Sequence, residues 1–145
     1  MSSDDSWLMA TAEDEGKSLI FRIRERPPSF ASKRTEFPHL LAVCWPYEPM
    51  NDSGMPPQDA VDHMTQLEDL LLPALEDAKE AFLTLIVTGK GVREWQWYAR
   101  DPEAVMELVN ETLGPLDPFP VQFEFQEDPE WQAYARFVEG GTNQE

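Results

Sequence analysis

Hydrophobic and polar positions change period several times along this chain, and each change marks an element. Residues 5–13 and 17–25 alternate on either side of Asp14-Glu15-Gly16, a turn signal, and predict a β-hairpin. In its second strand Leu19, Phe21 and Ile23 share one face, and Ser18, Ile20, Arg22 and Arg24 share the other. Prolines and serines between Arg26 and Pro38 forbid a regular ladder and predict a loop. His39–Trp45 is almost continuously apolar, as a central strand covered on both faces should be. Five prolines and glycines between Pro46 and Pro57 make the next segment a second loop.

The period then lengthens. Val61, Met64, Leu67, Leu71 and Leu75 fall at three- and four-residue steps, which predicts a helix from about Gln58 to Ala78. Pro73 inside it removes a backbone donor and disfavours helical angles at Leu72, so a kink or a break is expected there. Phe82–Lys90 and Val92–Arg100 read as two strands turned by Gly89-Lys90-Gly91. Asp101-Pro102-Glu103 opens a second helix with a cap, a first-turn proline and an early acid, and Gly114-Pro115 closes it. Phe119–Gln126 alternates, with Val121, Phe123 and Phe125 inward. Asp128-Pro129-Glu130 repeats the capping pattern and predicts a last short helix carrying Trp131, Tyr134 and Phe137, before a polar tail over 140–145. Between the hairpin and that last helix the order is β-α-β-β-α-β. The predicted fold is therefore α+β: a ferredoxin-like split β-α-β sandwich with an N-terminal β-hairpin and a short C-terminal helix. Right-handed crossovers place both long helices on one face of the sheet. No repeat or linker divides the chain, so residues 1–145 read as one domain with its core over about 5–139.

Composition narrows the class. A chain of 145 residues can bury roughly 70% of its unfolded surface. Hydrophobic residues at 41% and aromatics at 11% exclude wholesale disorder. No apolar run approaches the roughly 20 residues of a membrane-spanning helix, and the acidic start lacks the basic region of a signal peptide. A single cysteine makes no internal disulfide. A cytoplasmic protein is expected. The formal charge of −17 is unevenly spread: residues 1–34 hold six acids and six bases, and residues 35–145 hold 22 acids and five bases. Such a field repels a phosphate backbone, which argues against nucleic acid, and it attracts a basic protein.

Two stretches carry a resemblance. Arg93-Glu94-Trp95-Gln96-Trp97-Tyr98-Ala99-Arg100-Asp101-Pro102 runs an aromatic strand into a helix cap. Glu127-Asp128-Pro129-Glu130-Trp131-Gln132-Ala133-Tyr134 follows it with an acidic helix opening. Together they resemble the paired signatures of the bacterial domain-of-unknown-function family 695, over roughly residues 5 to 139. Relatives of that family are associated with domains similar to the acidic ribonuclease E inhibitor B proteins, which are ferredoxin-like. The resemblance implies a fold and regulation by protein binding, and it carries over no catalytic residue.

Candidate chemistry is sparse. Asp59, Asp62 and His63 sit close on one helix, yet an acid-decorated helix start explains them without a metal. Cys44, inside the most apolar strand, reads as a buried inert thiol. Thr88-Gly89-Lys90-Gly91 lacks the first glycine and the hydroxyl of a phosphate loop and reads as a hairpin turn. Acid pairs such as Glu68/Asp69 and Glu76/Asp77 arise freely among 28 acids and identify no acid–base couple. Trp95 and Trp97 share a strand face, either beneath the helices or as an exposed interface anchor. Arg22, Arg24 and Arg26 form a stripe that suits single-stranded nucleic acid or the domain's own carboxylates. The expected function is a non-enzymatic, acidic protein-binding module that inhibits or regulates a basic partner such as a nuclease, with no cofactor. The partner-binding residues expected are Asp62, Glu68, Asp69, Glu76, Asp77, Glu103, Glu107 and Glu111, with Trp95 and Trp97 as anchors. Alternatives are an immunity protein against a cognate bacterial toxin, a small-ligand-binding domain near the tryptophans, and an enzyme.

Overall fold

Glu15 and Gly16 both adopt left-handed backbone angles, φ 57° and 78°. That is the pattern of a two-residue type I′ turn, whose twist matches the strands it joins. The computed structural model describes residues 7–50 and 52–136, and in it this turn links β1 (Trp7–Asp14) to β2 (Lys17–Arg24). Residues 5 and 6, Phe137 and the polar tail lie outside the described residues. Two short 3-10 turns, Ser29–Ala31 and Arg34–Glu36, occupy the proline-rich connection, and β3 follows (His39–Pro46). Next come α1 (Gln58–Asp77), β4 (Ala81–Gly89), β5 (Val92–Ala99), α2 (Pro102–Leu113) and β6 (Gln122–Glu127). Lys90 and Gly91, φ 55° and 86°, repeat the type I′ arrangement between β4 and β5. Gly89 beside them is held at φ 155°, where an added Cβ would stand 2.6 Å from the Ser18 carbonyl oxygen on β2.

The six strands form one antiparallel sheet in the order β1-β2-β4-β5-β3-β6. Its β4-β5-β3-β6 portion, with α1 and α2, is the predicted ferredoxin-like unit, and the hairpin extends the sheet beyond β4. Both helices cover one face. There Met64, Leu67, Leu71 and Leu75 of α1 and Val105 and Val109 of α2 pack on Leu41, Val43, Leu83, Ile86, Trp95 and Trp97. Trp95 pairs with Val43 and Ile86, and Trp97 with Leu41 and Leu83, so the indoles stand in the middle of the sheet.

A second, smaller core lies on the opposite face. Phe37 and Ala31 from the proline-rich connection, with Trp131 and Tyr134, cover Ile23, Leu40, Phe82 and Tyr98. Phe82 meets the rings of Phe37 and Trp131 at centroid distances of 5.4 and 5.3 Å, within the range of favourable aromatic pairs.

Three boundaries differ from the sequence reading. Pro73 neither ends nor divides α1. Pro73 and Asp69, whose carbonyl loses its helical donor, are both exposed, a setting in which water can replace the missing hydrogen bond. The last strand begins at Gln122 rather than Phe119, because Pro118 and Pro120 bring no ladder donor. The last helix starts at 132, not at Asp128-Pro129-Glu130. Asp128 to Trp131 form a turn closed by the Trp131 N–H on the Asp128 carbonyl at 3.0 Å, with Trp131 itself at φ 56°. A left-handed tryptophan is uncommon. Its ring is 2% exposed and its indole N–H donates to the Phe37 carbonyl at 2.9 Å, contacts that hold the backbone there.

Candidate functional site

The outward side of the helical layer carries one sign of charge. Burying Met64, Leu67, Leu71 and Leu75 turns Asp59, Asp62, Asp69 and Asp77 of α1 to solvent. Burying Val105 and Val109 does the same for Glu103, Glu107 and Glu111 of α2, spaced four residues apart along one stripe. Neither helix contains a lysine or an arginine. Asp62 accepts a hydrogen bond from Gln58 Nε2 at 2.9 Å, and these seven carboxylates meet no cation within ion-pair distance among the described residues.

Two of the acids assigned to partner binding have a different place. Glu68 accepts from Arg22 Nη2 at 2.8 and 2.9 Å and from the Trp95 indole N–H at 3.0 Å. Glu76 accepts from Arg24 Nη1 at 2.8 Å and from the Leu83 backbone N–H at 3.0 Å. Their side chains are only 16% and 17% exposed. They fasten α1 to the sheet and present little to a partner. Of the arginine stripe, Arg22 and Arg24 pair with the domain's own carboxylates, Arg24 also stacks 5.6 Å over Trp7, and Arg26 is exposed. Trp95 and Trp97 are 2% and 1% exposed beneath the helices, so in this structure they are core side chains and offer no surface for anchoring a partner. Trp97 Nε1 is buried without a hydrogen-bond partner among the described residues.

The open face of the sheet holds a shallow hollow of about 580 Å³ lined by Leu40, Ala42, Cys44, Glu94, Gln96 and Glu124, with Arg136 at its rim. Cys44 is half-buried here and not fully enclosed. Burial, then the charges of Glu94 and Glu124, push its thiol up to about 11. The thiol therefore stays protonated at neutral pH, the opposite of an activated nucleophile. Glu94 is braced by Gln96 Nε2 at 2.9 Å. The strand alternation places Glu94 and Gln96 on one face, but only the register of β3 between β5 and β6 sets Cys44 opposite Glu94 and Gln122.

Asp128 is the most connected acid of this face. It is 8% exposed and accepts from the Tyr98 hydroxyl at 2.7 Å and from the backbone N–H groups of Gln132 and Ala133 at 2.8 and 3.0 Å. Burial alone would raise its pKa. The hydrogen bonds from Ala133, Tyr98 and Gln132, with Arg136 nearby, instead hold it below the usual aspartate value. The capping motif foretells a structural aspartate at this position, whereas its long-range bond to Tyr98 has no local signal.

His63 packs between the rings of Trp45 and Phe119 at 5.1 and 5.0 Å. Among the described residues no three His, Cys, Asp or Glu side chains are grouped as metal ligands, and no helix is long and apolar enough to cross a membrane. Residues 5–138 match a family model that spans the hairpin, the sheet, both helices and the closing turn. The chain belongs to the family of unknown function DUF695. No curated protein matches it. For this DUF695 member, the family assignment agrees with the aromatic strand of β5 and the acidic turn at Asp128, the two stretches that carry the resemblance in the sequence.

Proposed function

We propose that this protein is an acidic, non-enzymatic binding module that docks on a basic protein surface and thereby regulates or inhibits that partner. The observation that carries the proposal is where the carboxylates of the helical layer stand. Asp77 lies in the last turn of α1 and Glu111 in the last turn of α2, with no base in either turn. An acid there opposes the helix dipole and costs about 0.3–1 kcal/mol. Glu103, Glu107 and Glu111 repel one another at four-residue spacing for a few tenths of a kcal/mol per pair. Asp59 and Glu103, in the first turns, favour their helix dipoles, but folding gains nothing from Asp77, Glu107 and Glu111, whereas a basic partner would be steered by them and would neutralise them on contact. A nuclease or a toxin with a cationic active-site surface fits this requirement.

The test uses a triple variant, Glu103→Gln, Glu107→Lys and Glu111→Lys, and tagged capture from the source cell at low and at about 0.5 M salt. The wild-type protein is expected to retain a stoichiometric basic partner at low salt and to release it at high salt. The variant is expected to lose that partner while its Tm stays level or rises. Capture that survives both the salt and the triple variant would refute the proposal.

A further inference from the structure

The strand β1 is paired on one side only, and no described strand lies along its other edge. In a hairpin closed by a two-residue turn, the pair flanking the turn, Asp14 and Lys17, exchanges backbone hydrogen bonds, and so does every second pair beyond it. Trp7, Met9, Thr11 and Glu13 therefore turn their N–H and C=O groups outward, away from β2. A free edge of this length is a template for another strand unless charges, prolines or bulges guard it. None of these guards stands between residues 7 and 12: the segment is Trp-Leu-Met-Ala-Thr-Ala, uncharged, with Leu8 and Met9 exposed by 52% and 67%.

Charge decides what fits that edge. Two copies of a chain of charge −17 repel each other wherever their acidic surfaces meet. The helical layer has no base, and β6, the opposite edge, carries Glu124 and Glu127 within six residues. The β1–β2 hairpin is different: Arg22 and Arg24 are matched by Glu68 and Glu76, and the acids Glu13, Asp14 and Glu15 are set against the bases Lys17 and Lys90, the latter 3.7 Å from Glu15, so little net charge remains there. We propose that β1 is a homodimer interface, in which the edge strands of two copies pair antiparallel about a two-fold axis at Ala10 and join their sheets.

The register follows from the outward groups. Pairing about Ala10 sets each outward residue against another outward one, Trp7 against Glu13 and Met9 against Thr11. Leu8 then faces Ala12 on the other side of the sheet. No acid lies opposite an acid, and both exposed apolar side chains gain a neighbour. The contact is isologous, so it closes at two copies. The two β2 strands would lie about 14 Å apart, three strand spacings, and the acidic helices above them farther still. At physiological salt the Debye length is about 8 Å, so that residual repulsion is largely screened. Added salt should therefore tighten self-association, whereas it should loosen capture of a basic partner.

Sedimentation equilibrium of the whole chain from about 1 to about 500 µM, at low and high salt, tests the proposal. A monomer–dimer equilibrium that strengthens with salt is expected. Met9→Lys, which places a charge on the edge, and Thr11→Pro, which removes an outward donor without touching the ladder to β2, should each weaken it at least tenfold. The control Leu116→Lys, at an exposed apolar side chain on a distant loop, should leave it unchanged. Retained circular dichroism and Tm in either β1 variant qualify that variant for the comparison. A monomer throughout, a mass climbing past two copies, or a dimer unmoved by both β1 variants would overturn the pairing.

Discussion

Replacing Glu76 by alanine is expected to destabilise the fold by about 3 kcal/mol, although the residue lies on a helix flank beside solvent-facing acids. Its carboxylate takes the Arg24 guanidinium at 2.8 Å and the Leu83 N–H at 3.0 Å, and Arg24 is only 5% exposed. Removing one partner of a buried ion pair costs about 3–5 kcal/mol, because the remaining charge loses its compensation in a medium that solvates it poorly. The Glu76 side chain is 17% exposed, so some water reaches the gap and the lower end of that range applies. For a chain of this length each kcal/mol moves Tm by about 2–4 °C, which predicts a fall of about 6–12 °C in a calorimetric or circular-dichroism melt. The adjacent Asp77→Ala, at an exposed side chain, should stay within about 0.5 kcal/mol of wild type. Pairing Arg24→Met with Glu76→Leu should recover much of the loss, since a buried pair exchanged for apolar groups is often close to neutral. A Glu76→Ala melt within about 2 °C of wild type, or a paired variant that loses the sum of both single effects, would refute this account of how α1 is fastened to the hairpin.

Two further outcomes follow from the open face. Asp128 is held below the normal aspartate range, so its stabilisation is complete above the unfolded value of about 3.9 and is lost as pH falls through the folded value. Asp128→Asn should therefore be less stable than wild type at neutral pH, and the difference should close in urea titrations carried down to about pH 2; a difference independent of pH would contradict the assignment. Cys44, raised to about 11, should alkylate far more slowly at neutral pH than free cysteine. Its rate should climb into the alkaline range, and Glu94→Gln with Glu124→Gln should move that rise to lower pH. A thiol that reacts like free cysteine near neutrality would show that neither its burial nor the charges of Glu94 and Glu124 raise it.

Local signals carried most of the architecture. The change from alternation to three- and four-residue steps marks α1, and Asp101-Pro102 marks α2, because capping and periodicity act within a few residues. The placement of Trp95 and Trp97 needed the third dimension. Alternation assigns them a common face, but whether helices cover that face depends on crossovers between distant strands. Glu68 and Glu76 illustrate the same limit: in sequence they match Asp69 and Asp77, and only the docking of the hairpin beside β4 brings Arg22 and Arg24 against them. The left-handed Trp131 has no sequence cue, since tertiary contacts to Phe37 and Tyr98 hold it against its own preference. Pro73 does not divide its helix because it falls on the face opposite Leu71 and Leu75, as the three- and four-residue steps themselves imply, and on that solvent-facing side water can replace the lost bond.

The closing turn and the segment after it bind chiefly to residues far back along the chain. Tyr134 Oη donates to the Arg24 carbonyl at 2.5 Å, Trp131 Nε1 to the Phe37 carbonyl, and Arg34 to the Glu130 carbonyl at 2.7 Å. Residues 128–136 and the connection from Arg24 to Phe37 thus form one cooperative unit laid across the open face, distinct from the helix-covered layer behind it. Opening either half removes the partners of the other, so native-state amide exchange should show both segments losing protection with the same free energy and the same denaturant dependence. The helix-covered core should persist through that opening, so Phe82 and Tyr98 should lose their cover before Trp95 and Trp97 do.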